Sequence, residues 1–135
     1  MNVSIVVDCS ALIEVVAGKV PDRELLHRLS TAIGAAAPEL IDVEAMGVLR
    51  RLESRKALSR DEATTALTMV QAAPINRVPH RPLIERAWGL RHSIHAADAF
   101  YVALAEELGV PLVTCDARLA GSNGHQVDIE VYPVS

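Results

Sequence analysis

Four carboxylates stand where a purely structural chain has little use for them: Asp8, Glu44, Asp98 and Asp116. Asp8 ends the apolar run Val3-Ser4-Ile5-Val6-Val7, and Asp116 follows Val110-Pro111-Leu112-Val113-Thr114-Cys115. Asp98 lies on the first turn of a segment otherwise made of Ala, Phe, Tyr, Val and Leu, and Glu44 sits inside an apolar helix pattern. Two unit charges of like sign ~4 Å apart repel by on the order of 4 kcal/mol at an effective dielectric of about 20, so a cluster of such groups needs protons or cations to persist. Ligands that are all oxygen, with no Cys or His among them, favour Mg²⁺ (or Mn²⁺) over Zn²⁺. A carboxylate-held Mg²⁺ suits phosphodiester hydrolysis, activating a water as nucleophile and stabilising charge on the phosphate and leaving oxygen. Ser10 and Thr114, each two residues from a terminal aspartate, have hydroxyls that can orient a water or a phosphate oxygen, or bond to backbone at a strand end.

The elements that would position these groups follow from hydrophobic period. Ala97, Tyr101, Leu104 and Leu108 recur at three- and four-residue spacing with Gly109 as a stop, which predicts a helix; the short β-branched run before Asp116 predicts a buried strand. The start of the chain repeats the unit, with a strand ended by Asp8 and a helix over Ser10-Val16 closed by Gly18. If the two strands are neighbours in a parallel sheet, Asp8 and Asp116 emerge side by side, beyond the carboxyl ends where open α/β sheets gather their chemistry.

Between these units, Pro21-Asp22 opens a second helix with Leu25, Leu26, Leu29 and Ile33 on one stripe, ending near Gly34. Ala35-Ala36-Ala37-Pro38 reads as a small central strand. A third helix runs from about Glu39 to Arg55, with Leu40, Val43, Met46, Val48, Leu49 and Leu52 as its apolar set. Glu44 shares a face with Ile41, Gly47 and Val48, so it either reaches solvent from the edge of the stripe or turns into a cleft where a cation compensates it. Ser59 and Glu62 form a capping box for a fourth helix, and Ile75-Asn76-Arg77-Val78, between prolines, is confined to a short or edge strand. Pro82 opens a fifth helix, and Val127-Asp128-Ile129-Glu130-Val131 alternates as a last, half-exposed strand. The pattern is a three-layer α/β/α domain over residues 1–135, with a mostly parallel sheet of four to five strands.

Composition is compatible with this. The chain has 135 residues, 50% hydrophobic but only 3% aromatic, so its core must be built from Ala, Val, Leu and Ile. No apolar run approaches membrane-span length and no export signal is visible, which leads to an expected cytoplasmic location. Cys9 and Cys115 read as buried, inert thiols of a reducing compartment. A net charge of −4 argues against a nucleic-acid-coating protein. It is compatible with a nuclease whose acids hold cations. Arg50, Arg51, Arg55, Lys56 and Arg60, and Arg77, Arg81, Arg86 and Arg91, read singly as solvated faces and as sets could steer phosphate.

The segments VVDCSALIE, PELIDVEAMGVLRR and HAADAFYVALAEELGVPLVTCDARLA, in this order and spacing, resemble a PIN-domain ribonuclease of the VapC-like toxin group over essentially the whole chain. The resemblance implies an acidic pocket for Mg²⁺ or Mn²⁺ and endonucleolytic cleavage of RNA. It maps the family's four acids onto Asp8, Glu44, Asp98 and Asp116 and its supporting hydroxyls onto Ser10 and Thr114. Some relatives carry a further acid after the last aspartate; Arg118 and Asn123 occupy that region here, which leaves one or two metal ions open. It further implies a homodimer silenced by a small cognate antitoxin, as a heterotetramer or larger. The antitoxin's tail would enter the acidic groove, often with an arginine against the carboxylates. Apolar helix positions around Leu25, Leu29, Leu67 and Val70 are available for contacts, although core packing explains them by default.

Two other classes compete. A phosphotransfer enzyme wants a second acid where Ser10 stands, and a receiver domain wants an acidic pair and a late lysine; neither is present. A catalytically idle PIN-like module that binds RNA or protein without cutting it is the alternative that keeps the fold.

Overall fold

The computed structural model describes residues 2–135. Five parallel strands form one sheet in the order β3-β2-β1-β4-β5: β1 (Ile5–Val7), β2 (Ala35–Pro38), β3 (Ile75–Val78), β4 (Leu112–Thr114) and β5 (Ile129–Val131). Six α-helices cover it: α1 (Cys9–Ala17), α2 (Arg23–Thr31), α3 (Ile41–Ser54), α4 (Arg60–Ala72), α5 (Ile84–Gly89) and α6 (Ala96–Leu108). The three-layer α/β/α reading therefore holds, with the sheet wholly parallel. No helix of the described residues is long and apolar enough to cross a membrane.

The centre of the sheet decides where the site lies. β1 pairs with β4 in the register Val6↔Leu112 and Val7↔Val113, so the residues after both strands leave the sheet together. All six side chains of the Ile5–Val7 and Leu112–Thr114 strands are buried, as required of strands covered on both faces. β2 lies on the other side of β1 and carries only Ala and Pro. Without bulky side chains there, Tyr101 of α6 fits into the core fully buried. Pro38 stands at the end of its strand, and the short β3 and β5 take the two edges, as their prolines and alternation predict.

Several helical boundaries and faces differ from expectation. In α3 the buried stripe is Ile41, Ala45 and Leu49, a clean four-residue period, whereas Val43 and Met46 are 75% and 57% exposed. Small Ala45 packs closest, so the helix is rotated away from the face that its larger residues suggested. The second helix ends at Thr31, leaving Ile33 outside it and exposed. The fifth is broken into a 3₁₀ turn (Arg81–Leu83) and the single-plus turn of α5. Leu25 and Val70 are buried, and Leu29 and Leu67 pack against the core, so these positions form the interior and not a contact face. Gly109 ends α6 at φ 68°, a left-handed conformation that disfavours any side chain bearing a Cβ.

Candidate active site

Asp8, Glu44, Asp98 and Asp116 all line one cleft of about 570 Å³ at the carboxyl end of the sheet. Their origins are four separate elements: the residue after β1, the first turn of α3, the first turn of α6, and the residue two beyond β4. Ser10, Arg51 and a fifth acid that the sequence reading did not single out, the buried Glu14, also line it, and Glu14 accepts the Ser135 backbone amide at 2.9 Å.

The deepest part is a hydroxyl-braced aspartate. Asp8 is only 4% exposed and Thr114 is completely buried. Ser10 Oγ donates to Asp8 Oδ2 at 2.8 Å and Thr114 Oγ1 donates to the same oxygen at 2.6 Å. Each hydroxyl in turn accepts one backbone N–H of the neighbouring strand end, Cys115 to Ser10 and Asp116 to Thr114, both at 2.9 Å. A hydroxyl has one proton and two lone pairs, so each spends its only proton on Asp8 and one lone pair on a backbone amide, which fixes Asp8 against the end of β4. Of the two roles left open by the sequence, the strand-end backbone bonding is present, and the bracing of the Asp8 carboxylate is a role that the sequence did not suggest.

Glu44 is half-buried beside the Ile41–Ala45 stripe and turned into the cleft. Tyr101 donates its phenol to Glu44 Oε1 at 2.5 Å. From the sequence Tyr101 is a core residue only. A buried tyrosine must nevertheless find a partner for its hydroxyl, and its three-residue spacing from Asp98 on α6 is the signal that could have found it. Asp98 makes no side-chain hydrogen bond among the described residues. Asp116 is bound by Arg118, which the sequence marked only as a departure from the family pattern.

Electrostatics separates these acids. Burial is the main reason that the carboxyl pKa of Asp8, Glu44 and Asp98 is raised above the ordinary value, and their mutual charges add to it. Asp116 is shifted the opposite way by hydrogen bonds from Arg118. The thiols of Cys9 and Cys115 are pushed up by burial to about 12 and about 11, and the acids nearby contribute. Both cysteines are free; Cys9 is buried as expected, whereas Cys115 is only half-buried.

The four acids share a cleft, but among the described residues no three metal-binding side chains approach closely enough to hold one ion as they stand. Asp116 is the one of the four that a cation already holds, the Arg118 guanidinium. The donor set still fits a hard divalent cation: oxygen ligands only, three of them with proton affinities raised by burial and by one another's charge.

Comparison with known proteins agrees with this geometry. The PIN domain family model matches residues 5–121. Ribonuclease VapC12 of Mycobacterium tuberculosis is 39% identical over 127 residues, covering 94% of this chain and 98% of that protein. The chain belongs to the PIN-domain family, in its VapC ribonuclease group. Among solved PIN-fold structures, VapBC2 from Rickettsia felis bound to a DNA fragment from its promoter superposes with TM-score 0.68 at 10% identity, covering 95% of this chain and 98% of that one. A toxin-antitoxin complex from Klebsiella pneumoniae gives 0.59 at 22% identity, covering 87% and 92%. At such identities the likeness concerns the PIN fold alone.

Proposed function

We propose that this PIN protein is a metal-dependent endoribonuclease, the toxin of a toxin-antitoxin pair, hydrolysing RNA phosphodiester bonds. The observation that carries this reading is the convergence of Asp8, Glu44, Asp98 and Asp116 from four elements on one cleft, and the similarity to a protein named as a ribonuclease supports it. The four acids would hold Mg²⁺ or Mn²⁺, which when bound supplies a Lewis acid for attack of water on phosphorus. Ser10 and Thr114 hold the Asp8 carboxylate in one orientation, so that little reorganisation accompanies binding. Tyr101 does the same for Glu44. Asp98 makes no side-chain hydrogen bond among the described residues, so its carboxylate is unengaged within the cleft. Arg51, on the wall of the cleft, offers a cation to a phosphate oxygen.

A small antitoxin protein is the proposed partner, which the likeness to a toxin-antitoxin complex supports; a homodimer of this chain is proposed as the base of that complex. The deciding experiment measures cleavage of single-stranded RNA with Mg²⁺, with EDTA, and with Asp8→Ala and Asp98→Asn. Cutting should require the metal and both acids. RNA binding without metal-dependent cutting would instead identify a catalytically idle module.

A further inference from the structure

A second cavity, of about 420 Å³, opens between α5 and the start of α6, outside the acidic cleft. Its wall has no acidic residue: its polar groups are Arg91, His92, Ser93 and His95, and the remainder, which includes Ile84, Ile94 and Phe100, is apolar. Trp88 stands in this wall, 66% exposed although tryptophan is costly to leave in water. The Arg91 guanidinium lies over the indole, 4.4 Å from the ring centroid. Its Nη1 donates to the Trp88 carbonyl at 2.9 Å, which holds the stack in place, and Arg91 has no carboxylate partner among the described residues.

The cavity adjoins the candidate active site. His95 lines it and stands at the N-cap position of α6, whose first turn carries Asp98. An aromatic platform stacked with arginine, ringed by hydrogen-bond donors and free of carboxylates, suits a flat, acceptor-rich ligand on a polyanion. It suits an apolar helix of a protein partner poorly, because that would bury three cationic or imidazole side chains without counter-charges. Unpaired bases stack on aromatic and guanidinium planes in this way.

We infer that the cavity walled by Trp88, Arg91 and His95 is a stacking subsite for an unpaired RNA base a short distance along the strand from the acidic cleft. The inference rests on the endoribonuclease reading and adds to it a determinant of where the strand lies. Trp88 is the only tryptophan in the chain, so its fluorescence reports on this cavity alone.

The test uses the full chain carrying Asp98→Asn, in Mg²⁺, titrated with an end-labelled, mixed-sequence single-stranded oligoribonucleotide. Tryptophan fluorescence and label anisotropy should change together with one Kd. Trp88→Ala should weaken binding by ~10-fold, Trp88→Phe should restore most of it, and Arg91→Ala should weaken it less. In the otherwise unmutated enzyme Trp88→Ala should raise KM with kcat nearly retained. Binding seen by anisotropy with silent fluorescence and unchanged affinity for Trp88→Ala would overturn the subsite while leaving the ribonuclease reading intact. So would conversion of a dimer to a monomer by Trp88→Ala in light scattering with RNA affinity unchanged, which would give the face to a second copy. A wild-type chain that neither binds nor cuts RNA would remove the ribonuclease reading itself.

Discussion

Arg118 holds Asp116 at two points: its Nε lies 3.0 Å from Oδ1 and its Nη2 lies 2.8 Å from Oδ2. The Arg118 backbone amide donates to the same Oδ1 at 3.0 Å. This cation therefore competes with any metal ion for the last of the four acids. Because the guanidinium is 77% exposed, water screens the pair and the competition is mild. Replacing Arg118 with Gln should lower the Mg²⁺ concentration for half-maximal cleavage by about two- to five-fold, as read from activity against metal concentration; an unchanged requirement would show that Asp116 is not a ligand.

Thr114 is the brace whose loss should be felt most. Thr114→Val keeps the shape but leaves Asp8 without one donor and the Asp116 amide without its acceptor, in a fully buried position. The expected cost is roughly 1–3 kcal/mol by urea denaturation, with Thr114→Ser restoring most of it. A valine variant as stable as the parent would contradict the bonding described here.

Asp8 is kept in the fold at the expense of stability. Burial raises its proton affinity, so the ionised form destabilises the folded chain when no cation is present. In EDTA, Asp8→Asn should therefore melt a few degrees higher than the parent while losing cleavage. Added Mg²⁺ should raise the melting temperature of the parent and not of the variant.

Tyr101→Phe removes only the phenol that donates to Glu44. The ring is fully buried and its packing is preserved, so stability should change by less than about 1.5 kcal/mol. Metal affinity, measured by titration calorimetry, should fall several-fold because Glu44 loses its orientation. Equal metal affinity in the two proteins would assign Tyr101 to the core alone.

One pH effect lies far from the cleft. Arg28 Nε and Nη2 donate to Glu130 Oε1 and Oε2 at 2.7 and 3.1 Å, tying α2 to the edge strand β5. Hydrogen bonding by Arg28 lowers the Glu130 pKa below the ordinary carboxylate range. A lowered folded-state pKa means that this stabilisation is complete above the unfolded value and is lost as pH falls through the lowered one. Arg28→Ala should thus destabilise by roughly 0.5–1 kcal/mol at pH 7 and by less at about pH 3, as measured by denaturation at both pH values.

The primary structure by itself determined the layers, the parallel central strands and the four acids. Those features are written in local signals: β-branched runs ending in Asp8 and just before Asp116, helical spacing around Asp98, and the prolines that confine Ile75–Val78 to an edge. It did not show which face of α3 would be buried, because the large side chains of Val43 and Met46 outweigh Ala45 in any hydrophobic pattern, whereas close packing on a sheet selects the small residue. Nor could it give Tyr101 to Glu44 or Trp88 to an open cavity. The first joins residues 57 positions apart and was decided by the seating of α6 across the alanine strand; the second depends on which side of the short α5 meets solvent once it packs on α6.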